Sequence, residues 1–288
     1  TDYILEIQQE IQKFNHFIIF SDFGTGQLDI LTKNLSDTDY LILDHHSPQS
    51  KDIKPAINHV NPYFFGIDGS YEISGAGVSY YFAKVMDPVN IDLAPIALIG
   101  AVGDVQAKGE KGTFLGTNLK VLEEAQKAGR IESFTDIAIS RSRPLIQALA
   151  YTFPVNIPDL SNNEEKAREI LEKNNIRPIT DLNEPRTVQD LSINEKMSLN
   201  KAIVSFAIME KGMKADIAKK LTTTVYIMKD VNPKTGLTDI REMSSLLNAC
   251  GRTGHPSLGI GAILGDPQAM QEAIEENIDL EKFEEILQ

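Results

Sequence analysis

Two short apolar runs constrain this chain more than any other feature, because each delivers polar residues that a buried strand does not need. Phe17-Ile18-Ile19-Phe20 runs into Ser21-Asp22, and Tyr40-Leu41-Ile42-Leu43 runs into Asp44-His45-His46. Continuous runs of this kind read as strands buried on both faces, the signature of a parallel sheet rather than of a half-exposed hairpin. A third strand is expected over Ala56 to Val60, closed by Asn61-Pro62. Helices are expected over Gly75 to Val85 and over Leu93 to Val102, the latter capped by Asp92. This order of elements gives the fold class α/β: a parallel sheet covered by helices, followed by a mostly helical second part.

The second part begins near Ser140. Ser161 to Asn174 reads as a capped amphipathic helix, and Ser192 with Glu195 forms a capping box that opens a long helix to Lys211. Thr222 to Met228 is a strand, and Asn232-Pro233-Lys234-Thr235-Gly236 is a turn. Asp239, with Glu242 three residues on, opens a helix that runs to Cys250 and stops at Gly251; the last twenty residues are acidic and helical. The expected organisation is residues 1–140 as the α/β domain, 141–265 as a mostly helical remainder of the core, and 266–288 as the start of a connecting helix.

Charge and cysteine content narrow the function classes. Lys and Arg number 28 against 41 Asp and Glu, a net charge of −13, which argues against holding nucleic acid through a broad basic surface and leaves room for local, metal-mediated contacts. The single cysteine, Cys250, permits no internal disulfide and suits a reducing cytoplasm. The longest apolar run, Pro95 to Val102, is too short to span a membrane, and the opening Thr1-Asp2-Tyr3 has no signal-peptide character.

Open α/β sheets bind ligands at the carboxyl ends of their strands, which is where Asp22 and Asp44-His45-His46 fall. Asp104 ends the phrase Gly100-Ala101-Val102-Gly103-Asp104 after an apolar helix. Carboxylates and imidazoles gathered at one edge suit a hard divalent ion such as Mn²⁺, with Mg²⁺ as a substitute. Such an ion polarises a phosphoryl oxygen and lowers the pKa of bound water. Asp22 or Asp104 taken singly reads equally as a turn cap. Adjacent imidazoles directly after a buried strand do not read as structure, because they point in different directions.

Other residues carry weaker signals. Ser74-Gly75-Ala76-Gly77 presents backbone N–H groups at a helix start, a place for a phosphate or for an ordinary turn. Arg141 and Arg143 form a small basic spot, either a solvated face or a track for a nucleic-acid strand. His59 reads as a satisfied core histidine, His16 as solvent-facing, Cys250 as a buried residue of a helix end, and His255 has no assigned role.

The phrases FSDFGTGQLD, LILDHHSP, NHVNPYFFGIDGSYEISGAGVSYYFAK, ALIGAVGDVQ and REMSSLLNACGRTGHPSLGIGAILGD cover most of the chain in order. They resemble the DHH phosphoesterases, most of all the archaeal RecJ-like nucleases of the GINS-associated type. The resemblance implies metal-dependent, exonucleolytic hydrolysis of single-stranded DNA or RNA in replication or repair, with the GINS complex as a possible partner. It implies that Asp22 bridges two Mn²⁺ ions, that His45 and Asp104 ligate one of them, and that His46 faces the scissile phosphate while Asp44 orients the pair. It also implies that Asn248 and Arg252 contact the nucleic-acid backbone; a guanidinium at a helix end matches phosphate geometry. Two other functions remain open: a non-catalytic replication scaffold docked on GINS, and a phosphodiesterase for oligonucleotides or cyclic dinucleotides.

Two parts of the family pattern are missing from this sequence. The first metal motif has no counterpart before Asp22, where residues 1–16 offer only Asp2 and His16, and no C-terminal DHH-associated domain follows Gln288. Together with the non-Met start, this leads us to expect a fragment that is poorly active by itself.

Overall fold

The computed structural model describes residues 17–36, 38–49, 58–229, 231 and 237–277. Among them, β1 (Ile18–Ser21), β2 (Tyr40–Leu43) and β3 (His59–Val60) form a parallel sheet in the order β1-β2-β3. Helix α1 (Leu28–Asn34) lies between β1 and β2 in the chain. The α/β expectation is met, but only β2 is buried on both faces: β1 carries Ile19 at 52% exposure, so the first run is not the doubly buried strand its apolar sequence suggests. The expected start of the third strand, Ala56 and Ile57, lies outside the described residues, as does His16.

Register decides what the sheet presents. Ile18 pairs with Tyr40 and Ser21 with Leu43, so β1 and β2 end level. The Asp22 N–H donates to the Leu43 carbonyl at 2.8 Å and the Asp44 N–H to the Val60 carbonyl at 3.1 Å. Asp22 and Asp44 therefore leave adjacent strands at the same height. Alternation along β2 explains why its run is uniformly apolar. Ile42 packs with Phe20, Leu31 and Leu35, whereas Leu41 and Leu43 pack with Ile73 and Val78.

Helix α2 (Gly75–Met86) begins at Ser74, whose hydroxyl accepts the Gly77 N–H at 3.1 Å. Helix α3 (Ala94–Gly103) starts differently from the sequence expectation. Asp92 is not its cap: a 3₁₀ turn, Pro88–Leu93, capped by Asp87, feeds straight into it. Pro95 in the first turn has no N–H to satisfy, and Asp92 instead meets Arg130 at 2.8 Å. The two helices touch closely, since a Cβ on Gly100 would lie 2.4 Å from the Ala76 Cβ.

Helix α4 (Gly116–Lys127) leads to β4 (Ile131–Ile137), which the sequence did not suggest; β4 pairs with β5 (Thr222–Met228). Between them lie α5 (Leu145–Tyr151), α6 (Glu164–Lys173), α7 (Ile193–Ser205) and α8 (Ala215–Ala218). Asn163, not Ser161, caps α6, and Ser161 accepts the Ile157 N–H instead. The Ser192–Glu195 capping box opens α7 as expected, and a π-helical turn, Phe206–Glu210, carries the chain to Lys211.

Among the described residues, α9 (Ile240–Arg252), α10 (Pro256–Ile263) and α11 (Pro267–Asn277) follow. Helix α9 passes Gly251, because the left-handed stop is supplied by Gly254 at φ 83°, with the His255 N–H closing onto the Cys250 carbonyl at 2.9 Å. The expected turn at 232–236 and residues 278–288 lie outside the described residues.

The chain divides into two compact units. One comprises Thr1–Gly109, Thr113–Ile131 and Ser244–Gln288, and the other Glu110–Gly112 and Glu132–Met243. The second unit has its own core, in which Leu145, Leu149, Leu171, Leu199, Ile203 and Leu221 are fully buried. Among the described residues no helix is long and apolar enough to cross a membrane.

Candidate metal centre

The turn after β2 is organised by a buried carboxylate. Asp44 is 1% exposed and accepts the Thr25 N–H at 2.8 Å, the His45 N–H at 2.8 Å and the His46 N–H at 3.1 Å. It also accepts the His46 Nδ1–H at 2.7 Å. Burial pushes the Asp44 carboxyl up, but the bonds from His46 and Thr25 outweigh it and hold the group below the usual carboxylate value. A carboxylate facing that many donors is ionised, so His46 carries its proton on Nδ1 and presents Nε2 outward.

The neighbouring imidazole also carries a proton on Nδ1, held by a different partner. His45 Nδ1 lies 2.8 Å from the Gly69 carbonyl, which can only accept. Its Nε2 stands 3.0 Å from Asp22 Oδ1 and 3.5 Å from Asp104 Oδ2. Ligand atoms of Asp22, His45 and His46 all fall within 4.8 Å of one another. The structure thus brings together the four residues singled out at the strand and helix ends, and sets Asp44 directly behind them.

Electrostatics agree with that geometry. Burial pulls the His45 imidazole down, yet the bonds with Asp22 and Gly69 and the charges of Asp104 and Asp22 raise it to about 9. Burial pushes the Asp104 carboxyl up, and the Asp22 charge adds to this against the opposing pull of His45 and His46. Carboxylates gathered this closely require positive charge between them, and an imidazolium proton meets that need. Oxygen and imidazole donors of this kind suit Mn²⁺ or Mg²⁺, and Asp22 and His45, with Asp104 beside them, could hold such an ion.

The backbone is strained where Asp22 and Asp104 emerge. Asp22 has φ 61° and Val105, next to Asp104, has φ 55°, both in a region that costs a non-glycine residue energy. Gly75 at the start of α2 permits a close approach, since a Cβ there would meet Asp22 Oδ1 at 2.4 Å. Ser74 is 1% exposed and its hydroxyl is committed to the cap.

Behind the sheet edge, Thr25 Oγ1 lies 3.0 Å from His59 Nε2, and Asn61 Nδ2 donates to Thr25 Oγ1 and to the His46 carbonyl, each at 2.9 Å. His59 is a satisfied core histidine, 4% exposed and edge-on to Phe64 at 4.9 Å. Burial lowers its pKa.

Asn248 sits beside the end of α3, its Nδ2 3.7 Å from the position a Gly103 Cβ would take, one residue before Asp104. Arg252 is exposed one helical turn further along the same face of α9. Arg141, one of the two arginines of the expected basic spot, does not offer its charge to a bound strand. Arg141 is 5% exposed, ion-paired to Asp136 at 2.8 Å and stacked over Phe134, so its charge is spent inside its own unit. Cys250 is buried in α9, as expected.

Sequence reasoning missed the buried amides of Gln106 and Asn118, which bond to each other at 2.7 Å close to this centre. The only signal was position: Gln106 follows Asp104 by two residues.

Comparison with known proteins adds two findings. Residues 140–222 match the DHH-CID domain family, a stretch within the second compact unit. An uncharacterized protein of Methanocaldococcus jannaschii is 30% identical over 273 residues, which is 92% of this chain. The chain spans 56% of that protein's length. These matches support a relationship to the DHH superfamily.

Proposed function

We propose that this chain belongs to a metal-dependent phosphodiesterase that cleaves single-stranded DNA or RNA from an end. One observation carries the reading: His45 is locked through Nδ1 to the Gly69 carbonyl, so that Nε2 faces the carboxylates of Asp22 and Asp104. The DHH-CID match over residues 140–222 supports a phosphoesterase class. A bound Mn²⁺ or Mg²⁺ would supply Lewis acidity toward a phosphoryl oxygen and a water of lowered pKa.

The chain's own residues do the rest. Asp44 holds the His46 ring by Nδ1, and in the doubly protonated ring the outward Nε2–H would donate to a non-bridging phosphate oxygen. Asn248, beside Gly103, and Arg252 on the same helix face offer an amide and a guanidinium to successive phosphates of the strand. Such contacts are few and local, in keeping with a net charge of −13.

The test is cleavage of a labelled single-stranded oligonucleotide by the full-length protein with Mn²⁺, alongside H45A and D104A. We expect both substitutions to abolish turnover, and near-normal cleavage by either would overturn the assignment. The finer resemblance extends the proposal to the GINS-associated type. Retention of D104A protein on immobilised GINS, without cleavage, is the expected result; no retention would remove that part.

A further inference from the structure

Gln106 and Asn118 are each 1% exposed, and polar amides are costly to bury unless they are bonded. Gln106 Nε2 donates to the Gly69 carbonyl at 2.8 Å and lies 3.3 Å from the Ile73 carbonyl. Its Oε1 accepts from Asn118 Nδ2 at 2.7 Å, which fixes the direction of the amide. The Asn118 backbone N–H in turn donates to the Glu72 carbonyl at 2.6 Å.

These bonds reach every segment that carries a ligand. The Gly69 oxygen is the same atom that takes the His45 Nδ1–H at 2.8 Å, so Gln106 and His45 share one acceptor. Ile73 precedes Ser74 and Gly75, the cap and first residue of α2, and Gly75 lies against Asp22. Asp104 is two residues before Gln106 on its own backbone, and the Gln106 N–H closes onto the Ala101 carbonyl at 2.8 Å. One buried side chain thus ties together the supports of Asp22, His45 and Asp104. Apolar residues at both positions could fill the space without any internal hydrogen bond, so packing alone does not account for the pair of amides.

We infer that Gln106 is a positioning residue of the metal centre, with Asn118 orienting its amide. This rests on the metal-binding function proposed above, and it assigns work to two residues that touch neither substrate nor ion. Groups that hold a ligand from behind typically change metal affinity ten- to hundredfold when removed.

The test compares the wild-type 288-residue chain with Gln106→Met, which keeps the length and loses all three side-chain hydrogen bonds. In the metal-free protein the buried His45 Nδ1 proton is read by ¹H–¹⁵N NMR; Mn²⁺ affinity is read by electron paramagnetic resonance. We expect the His45 signal to broaden or vanish in the variant, with Mn²⁺ binding weakened about ten- to hundredfold. An intact His45 signal with Mn²⁺ affinity within about twofold of wild type would overturn the inference. If Gln106→Met fails to fold, Asn118→Leu leaves Gln106 present but unoriented. A smaller shift of both readouts in the same direction supports the inference, and no shift overturns it. Should the wild-type chain bind no Mn²⁺, the proposed function fails, while the His45 ring signal still decides the role of Gln106.

Discussion

Asp44 and His46 are joined at 2.7 Å, carboxylate to Nδ1, and the same carboxylate gathers the backbone N–H groups of Thr25, His45 and His46. It therefore shapes the turn and sets one imidazole tautomer at once. Asp44→Asn keeps the shape but turns an NH₂ toward donors. We expect a stability loss of about 1–3 kcal/mol and a fall in turnover of about ten- to hundredfold. Urea unfolding and steady-state kinetics on the same variant check both.

Acid sensitivity follows from the same group. The folded Asp44 carboxyl lies below its ordinary value, so its contribution is present above about pH 4 and fades as pH falls toward the lowered folded value. For His45 the sign reverses. Its folded value is raised to about 9, so the metal-free protein has the full contribution below about pH 6.5 and loses it as pH rises through 9. Melting temperatures of metal-free wild type and His45→Gln should converge across that alkaline window. The stabilisation conferred by Mn²⁺ should grow over it, because the ion no longer competes with a proton. A constant gap between wild type and variant from pH 6 to 10 would contradict the raised imidazole.

Gly75→Ala tests how closely α2 approaches the ligands. The added Cβ would lie 2.4 Å from Asp22 Oδ1, so Asp22 must move, although alanine suits a helix better than glycine. We expect Mn²⁺ affinity to fall about tenfold or more with melting temperature nearly unchanged. Gly69→Ala is a harsher case, since its Cβ would meet the His45 carbonyl oxygen at 1.9 Å and the backbone itself must shift.

The parts of this site legible in the sequence are those whose signals are local. The apolar runs before Asp22 and Asp44 announce parallel strands, although only the second is buried on both faces, and level strand ends then follow from pairing in register. The Ser192–Glu195 box is a three-residue signal and was readable for that reason. What escaped depends on contacts distant in sequence. Ile131–Ile137 is exposed over most of its middle and shows neither an apolar run nor a clean alternation, so only its pairing with β5 makes it a strand. Gln106 and Asn118 look like surface amides until tertiary structure buries them. Arg141 looked solvated or strand-tracking, and only the fold supplies Asp136 and Phe134 around it.

The second unit has its own carboxylate-centred turn. Glu242 Oε1 accepts the backbone N–H groups of Arg141 at 2.8 Å and Ser142 at 3.1 Å, and the Ser140 and Ser142 hydroxyls at 2.5 and 3.0 Å. Removing the acceptor leaves several donors without a partner. Glu242→Ala should therefore cost about 2–4 kcal/mol, measured by chemical denaturation, while the His45 ring signal of the other unit stays unchanged. A cost below about 0.5 kcal/mol would show that water replaces the carboxylate freely.

Arg252 and Asn248 separate binding of the strand from chemistry on it. They lie one turn apart on α9, with Asn248 against Gly103 and Arg252 exposed at the helix end, so a bound strand would meet them at different phosphates. A guanidinium that pairs with a phosphate displaces condensed counterion, and for single strands each such contact contributes about 0.7 to the slope of log affinity against log salt. Arg252→Ala should lower affinity for a single-stranded oligonucleotide in every sequence tested and flatten that slope by about 0.7, with Mn²⁺ affinity unchanged. Asn248→Ala, which removes a neutral donor, should weaken binding and leave the slope where it is. Fluorescence anisotropy of a labelled oligonucleotide over about 50–200 mM salt distinguishes the two. An unchanged slope for Arg252→Ala would show that the nucleic acid does not run along this face of α9.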